Sequence, residues 1–382
     1  MCGKCCGRDW PVPADPEEQN RIAALDLPEV NLKKKKWFRN GFIAKQAGKC
    51  IFSTCDGKKC MIHAKYGLDV KALACRLYPL DIHAWEDGSI SASLRYDCPA
   101  VANGSENNVA SAIVSIDRMA DEIARYRIDP APAYSKKIMP PLKRLREIAK
   151  AYAALFENPG AELRTGFLAA AELLAFHHDT APEDILEAED FEDDALALMN
   201  RSLENLEWMI ENAEPVKFSA MVGFRFLLLS FLRNDNGLNL FSRIKRMKNH
   251  LAFMTGKAPL KINIESLSPV PVKLPADSDA MLPFRRWLKG RLLSLHFCGG
   301  PAFGITFEEG MRYLLLSYPA VMMIAAGLAD EKQITRKNIA DALILLDYSF
   351  LRTKLYRNRA LLKISGILTQ QEYYPSLLKI FF

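Results

Sequence analysis

Cysteine is spread so unevenly along this chain that its placement bounds the fold before any other feature does. Eight of the nine cysteines fall within the first 98 of 382 residues, and three of those within the first six. The opening MCGKCCGRDWPVP carries Cys2, Cys5 and Cys6 with no apolar run of a secretory leader. The expected location is the cytoplasm, where thiols stay reduced. The same first hundred residues are rich in Gly, Pro, Lys and Asp and poor in long periodic stretches. A segment of that kind cannot rely on apolar burial alone to hold its shape.

The spacings are Cys2-x2-Cys5-Cys6, then Cys50-x4-Cys55-x4-Cys60, then Cys75 and Cys98. A thiolate is a soft anionic ligand, and two of them separated by two residues grip one metal through a tight turn. Folding must return the remaining ligands from distant chain, so that metal affinity becomes folding free energy. Lys4, Lys49, Lys58, Lys59 and Arg76 lie among these cysteines and favour the thiolate form. Zinc takes four thiolate or imidazole donors, and an iron–sulfur cluster takes the same thiolates. Spacing does not separate the two, nor does it decide between two four-ligand sites and one site with spare thiols. Disulfides fit less well, because the count is odd and they need an oxidising compartment. His63, three residues past Cys60, is a second-choice donor that reads first as a plain polar residue. Cys298, in HFCGGP, reads as a small apolar residue packed between helices.

A chain of this length makes one large or two moderate domains, since single cores stop growing near ~250–300 residues. The fold class expected is mostly α: a small irregular cysteine-rich metal-binding domain over 1–105, followed by an all-α helical domain over 106–382. In the first part, Asp15, Pro16 and Glu18 predict a capped helix at PEEQNRIAAL, and a second covers DVKALACRLY until Pro79 stops it. After VANGSENN the texture changes to 3.6-residue periodicity, as in PLKRLREIAKAYAALF, AELRTGFLAAAELLAFHH and FSAMVGFRFLLLSFL. Thr306 and Glu309 stand at capping-box spacing ahead of MRYLLLSY. No run reads as a series of alternating strands. The stretch YLLLSYPAVMMIAAGL is too short to span a bilayer and is interrupted by Pro319, so a buried helix is expected and no transmembrane segment.

The net charge of +6 is too modest to argue for nucleic acid. KKKKWF, from Lys33 to Phe38, reads as a solvated loop, or else as a surface for an acidic protein or an anionic cofactor. EDILEAEDFEDDA, from Glu183 to Ala195, reads as a wet helix face or loop, and SPVPVKLPADSD, from Ser268 to Asp279, as an exposed connection. His177 and His178 end a helical pattern, where capping is the ordinary role of a histidine. Asp347 and Tyr348 lie on an otherwise apolar helix and suggest a buried polar network.

Taken in order, GKCC, GKCIFSTCDGKKCMIH, ALACRLYPL and SLRYDCPA resemble the CxxCxxCC family, described as a zinc- or iron-chelating domain that includes flagellin lysine N-methylases. The shared elements are the double cysteine followed by Asp9-Trp10-Pro11-Val12, then Gly48, Cys50 and Phe52, then Cys60 to Ile62. Cys75 to Pro79 and Cys98-Pro99 complete the pattern. The family's further cysteine ahead of Cys2 has no counterpart, and the helical remainder carries no matching motif. The resemblance implies an iron–sulfur cluster or zinc held by Cys2, Cys5, Cys6, Cys50, Cys55, Cys60, Cys75 and Cys98. It also implies methyl transfer from S-adenosylmethionine to a lysine of a flagellin-like protein. The chain has no strand leading into G-x-G-x-x-G, so a cofactor site would be built without a doubly wound sheet. Arg76 could then meet the cofactor's carboxylate bidentately and Tyr78 could stack on its adenine, unless Arg76 steadies a local carboxylate and Tyr78 is core. The sequence assigns no catalytic base. The non-enzymatic alternatives are a metal carrier, sensor or assembly protein, or an iron–sulfur accessory in electron transfer.

Overall fold

A computed structural model of the chain describes residues 11–30, 37–46, 48–54, 59–104, 119–123, 128–157, 162–179, 204–232, 240–262, 265–268, 279–329 and 333–381. It resolves into two compact units, one of residues 1–82 and 107–126 and the other of residues 83–106 and 127–382. The chain is mostly α, with a few short strands.

In the first unit, helix α1 (Pro16–Ala23) starts as its sequence dictates. The Asp15 side chain accepts from the Glu18 amide, and the Glu18 side chain accepts from the Asp15 amide. Two tight hairpins follow, β1 (Phe38–Arg39) with β2 (Phe42–Ile43) and β3 (Lys45–Gln46) with β4 (Lys49–Cys50). Asn40 and Gly41, at φ 51° and 87°, form the first turn, and Gly48 at φ 78° serves the second. Positive φ at both central residues gives the turn whose twist suits paired strands. The unit continues through α2 (Met61–Tyr66) and α3 (Leu73–Leu77), which is shorter than the periodicity predicts. α1 is tied to this region: Arg21 donates to the carbonyls of Val70 and Lys71, and the Tyr66 hydroxyl donates to that of Asp26. Its core is small, built on Ile22, Trp37, Ile43, Phe52, Cys60 and Ile62, with Trp37 packed obliquely on Phe52. Lys33 to Lys36 of the basic run lie outside the described residues, whereas Trp37 at its end is 2% exposed.

Strand β5 (Leu80–Trp85) carries the chain into the second unit. It lies between β6 (Ile90–Leu94) and the short parallel strand β7 (Ile128–Asp129), with Ala84 opposite Ile128 and Trp85 opposite Asp129. A four-residue helix, α4 (Pro99–Ala102), follows β6. The main body comprises α5 (Leu142–Leu155), α6 (Leu163–Asp179), α7 (Phe218–Phe231) and α8 (Leu240–Met254). A hairpin of β8 (Leu260–Ile262) and β9 (Glu265–Leu267) comes next. The rest is α9 (Leu282–Leu293), α10 (Phe307–Gly327), α11 (Arg336–Leu346), α12 (Arg359–Leu368) and α13 (Tyr374–Lys379).

The membrane-like stretch is α10, which packs against α6, α11, α12 and α13 and is buried along nearly its whole length. A helix apolar on all faces needs partners on all faces, and here helices supply them. The helix runs through Pro319 without ending. Among the described residues no helix is long and apolar enough to cross a membrane. The acidic run Glu183 to Ala195 and most of the Ser268 to Asp279 connection lie outside the described residues.

Candidate metal centre

Three of the cysteines expected to hold metal belong to the small core of the first unit. Cys50 ends β4, where its carbonyl accepts from the Ser53 amide at 2.9 Å. Cys60 stands just ahead of α2 and pairs backbone to backbone with Ser53 in an isolated bridge. The Met61 amide donates to the Phe52 carbonyl at 2.8 Å, so the chain between these cysteines closes on itself. Cys75 lies in α3, its amide donating to the Ala72 carbonyl at 2.9 Å. Cys60 is buried in the apolar cluster, and Cys50 and Cys75 pack against it. A single core of this size thus collects thiols that are 10 and 15 residues apart in sequence.

Cys98 sits in the second unit, 7% exposed, just ahead of α4. Its neighbours Arg95 and Asp97 form a bidentate ion pair at 3.0 and 2.9 Å. Cys2, Cys5, Cys6 and Cys55 lie outside the described residues. No disulfide joins the described cysteines. The donor chemistry fits zinc or iron: soft sulfur ligands in a unit whose apolar core is too small to be its whole support. Cys298 has the expected structural role, wholly buried, with its thiol directed at the Leu295 carbonyl and its pKa pushed up by burial.

The CRLYP segment is held from within its unit. The Arg76 guanidinium grips both carboxylate oxygens of Glu122, one of them at 3.1 Å, from helical residues 119–123. Only 8% of the Arg76 side chain is exposed. Tyr78 caps the end of α3 in extended conformation and is half-buried. His63 lies on α2, its pKa lowered by burial and then by Lys71.

One pair of nitrogen donors lies apart from the cysteines. Among the described residues, no three cysteines bring their sulfurs within 4.8 Å of one another, but His83 and His296 of the second unit do approach that closely. The available signal was the alternation of Leu80 to Trp85 and Ile90 to Leu94 around Asp87-Gly88, a hairpin pattern that places His83 on a strand. Nothing in the sequence pairs it with His296, 213 residues later.

Residues 1–98 match the family model CxxCxxCC, described as "Putative zinc- or iron-chelating domain". No curated protein and no solved structure matches the chain.

Proposed function

We propose that the first unit chelates zinc or iron through its cysteines, and that the chain transfers methyl groups from S-adenosylmethionine to lysines of a flagellin-like protein. The observation that carries the first half is the match over residues 1–98 together with the convergence of Cys50, Cys60 and Cys75 in one core. The second half rests on the order of cysteine elements shared with the flagellin lysine N-methylases. When bound, the metal centre supplies folding energy to the first unit and a fixed charge near which a sulfonium cofactor can be oriented.

In the transfer the lysine must first be neutral, because an ammonium has no lone pair. Its nitrogen attacks the methyl carbon. The nitrogen–carbon bond forms as the sulfur–carbon bond breaks, S-adenosylhomocysteine leaves, and the nitrogen's extra proton passes to a base.

One observation favours a non-enzymatic reading. The fork of Arg76, which would meet the cofactor's carboxylate, is engaged by Glu122. CRLYP then braces the unit, and the chain is a zinc or iron carrier, sensor or assembly protein, or an electron-transfer accessory. Anaerobic purification with metal and acid-labile sulfide analysis, joined to a cofactor titration, separates these. Iron with sulfide identifies a cluster, and zinc without sulfide identifies a zinc site. Saturable S-adenosylmethionine binding and lysine methylation, both lost in Cys60→Ser, support the methylase. Full metal occupancy without cofactor binding overturns it.

A further inference from the structure

A cavity of about 430 Å³ is enclosed within the second unit by the segment 130–133, the loop 299–306 ahead of α10, and Lys354. We propose that it binds a small planar aromatic anion, with the ring laid on Phe303 and the charged group met by Lys354. No cysteine lines the cavity, so its ligand is independent of the metal that the first unit chelates.

The walls are mostly backbone and are fixed in advance. In the loop, the Gly299 amide donates to the Ile305 carbonyl at 2.8 Å and the Gly304 amide to the Gly299 carbonyl at 2.6 Å. Gly299 lies so near Pro132, and Gly300 so near Asp129, that a Cβ on either would collide. The facing segment is tied down as well, since the Ala133 carbonyl accepts from the Phe307 amide at 2.8 Å. Pro130 and Pro132 have no amide to donate and leave that wall apolar. A preformed, largely apolar hollow of this size is in the ~300–1,000 Å³ range of small-molecule sites.

Phe303 carries the aromatic half of the assignment. Its backbone is left-handed, at φ 60°, a conformation that glycine adopts freely and a bulky side chain adopts only at a cost. Glycine stands at 299, 300 and 304 of the same loop, yet this position holds a ring that is 36% exposed. The ring touches no other aromatic ring among the described residues. A role in folding accounts for neither the backbone nor the exposure, whereas an aromatic surface offered to a ligand accounts for both.

Lys354 carries the charged half. Among the described residues that line the cavity, only Thr306 and Lys354 have polar side chains. The Thr306 hydroxyl is engaged in capping α10, where it accepts from the Glu309 amide at 3.2 Å. Lys354 makes no ion pair or side-chain hydrogen bond with any described residue. The lining thus offers one positive charge and no carboxylate to answer it, and a carboxylate or phosphate on the ligand does so.

Two probes carry this chemistry from different sources: anthranilate, an aromatic carboxylate, and adenosine monophosphate, an aromatic phosphate. Full-length protein is titrated calorimetrically with each, and with the uncharged counterparts aniline and adenosine. The same titrations and a thermal unfolding curve are recorded for Lys354→Ala, Lys354→Arg and Phe303→Gly. Lys354 is exposed, so its variants are expected to fold.

At least one of the two anions should bind at one equivalent with a Kd of about 1 mM or below. Its uncharged counterpart should bind roughly tenfold more weakly or worse, and the preferred anion tells carboxylate from phosphate. Lys354→Ala should weaken binding about 10–100-fold, and Lys354→Arg should keep most of it. Phe303→Gly should weaken binding roughly 5–50-fold with Tm unchanged or raised, because glycine suits the backbone there. Binding of neither anion overturns the proposal, as does equal binding of the uncharged counterparts. Unchanged affinity in Lys354→Ala or in Phe303→Gly overturns it too, and so does a lowered Tm in Phe303→Gly, which would make the ring a folding residue.

Discussion

Asp347 shows how a single residue can carry a large share of a unit's cohesion. Its carboxylate is fully buried and accepts from Trp287 Nε1 at 2.8 Å, from Arg291 Nη2 at 2.5 Å and from the Tyr96 amide at 2.7 Å. Burial alone would raise its pKa, but Arg291 and Arg352, with the Trp287 hydrogen bond, outweigh it and hold the carboxyl below its ordinary range. A folded pKa below the unfolded one gives stability that is complete above ~3.9 and is lost as pH falls through the folded value. Asp347→Ala strands Arg291 without its buried partner and should cost about 3–5 kcal/mol in urea unfolding of the full chain. His177 works over a higher range. Instead of capping α6 it is 5% exposed, against the rings of Tyr134 and Tyr152, and burial, helped by Arg144, pushes its pKa down to about 4. The neutral form stabilises the fold fully above ~6.5, and that contribution, about 3 kcal/mol, fades as pH falls toward about 4. His177→Phe should flatten stability against pH across that interval, and an unchanged slope would refute the assignment. Asp347 was legible as a buried polar group on an apolar helix. The burial of His177 was not, because its aromatic partners come from other elements.

Helix starts were the most legible elements, since a cap is written in a few adjacent residues. Asp15 with Glu18 and Thr306 with Glu309 both form reciprocal capping boxes, and Thr335 with Asn338 forms another of the same kind. Hairpins were less visible, because two-residue strands leave no periodicity to count. Asn40-Gly41 is nevertheless a recognised hairpin signal, and it makes the turn between β1 and β2. Gly41→Ala puts a side chain at φ 87° and should lower the stability of the first unit by ~1–2 kcal/mol, read from denaturant unfolding followed by Trp37 fluorescence. Strands β5 and β6 are legible in the alternation of Leu80 to Trp85 and Ile90 to Leu94 around Asp87-Gly88, but as a lone hairpin they stand apart from a chain otherwise written in 3.6-residue periodicity. Pro319 marks the opposite limit: a proline argues against a continuous helix, yet packing on every side of α10 keeps the helix whole.

At the scale of the molecule, the two units rest on different supports. The second has an extensive core that includes Phe167, Phe224, Trp287, Tyr313 and Tyr356, all wholly or almost wholly buried. The first has a small core in which thiols are themselves part of the packing. Exhaustive chelation or Cys60→Ser should therefore unfold the first unit and leave the second, seen as loss of the lower of two calorimetric transitions with far-ultraviolet helicity largely kept. A single unchanged transition would mean that metal contributes nothing to folding. By itself, the sequence determined that thiols concentrate in one segment, that helices build the rest, and where several of those helices begin, because side-chain chemistry and 3.6-residue periodicity act between near neighbours. Only the tertiary structure decided that residues 83–106 pack with the helices, that Arg76 is spent on Glu122, and that His83 meets His296. Those outcomes depend on burial shared between distant stretches of chain, and no local pattern records which partner fills which space.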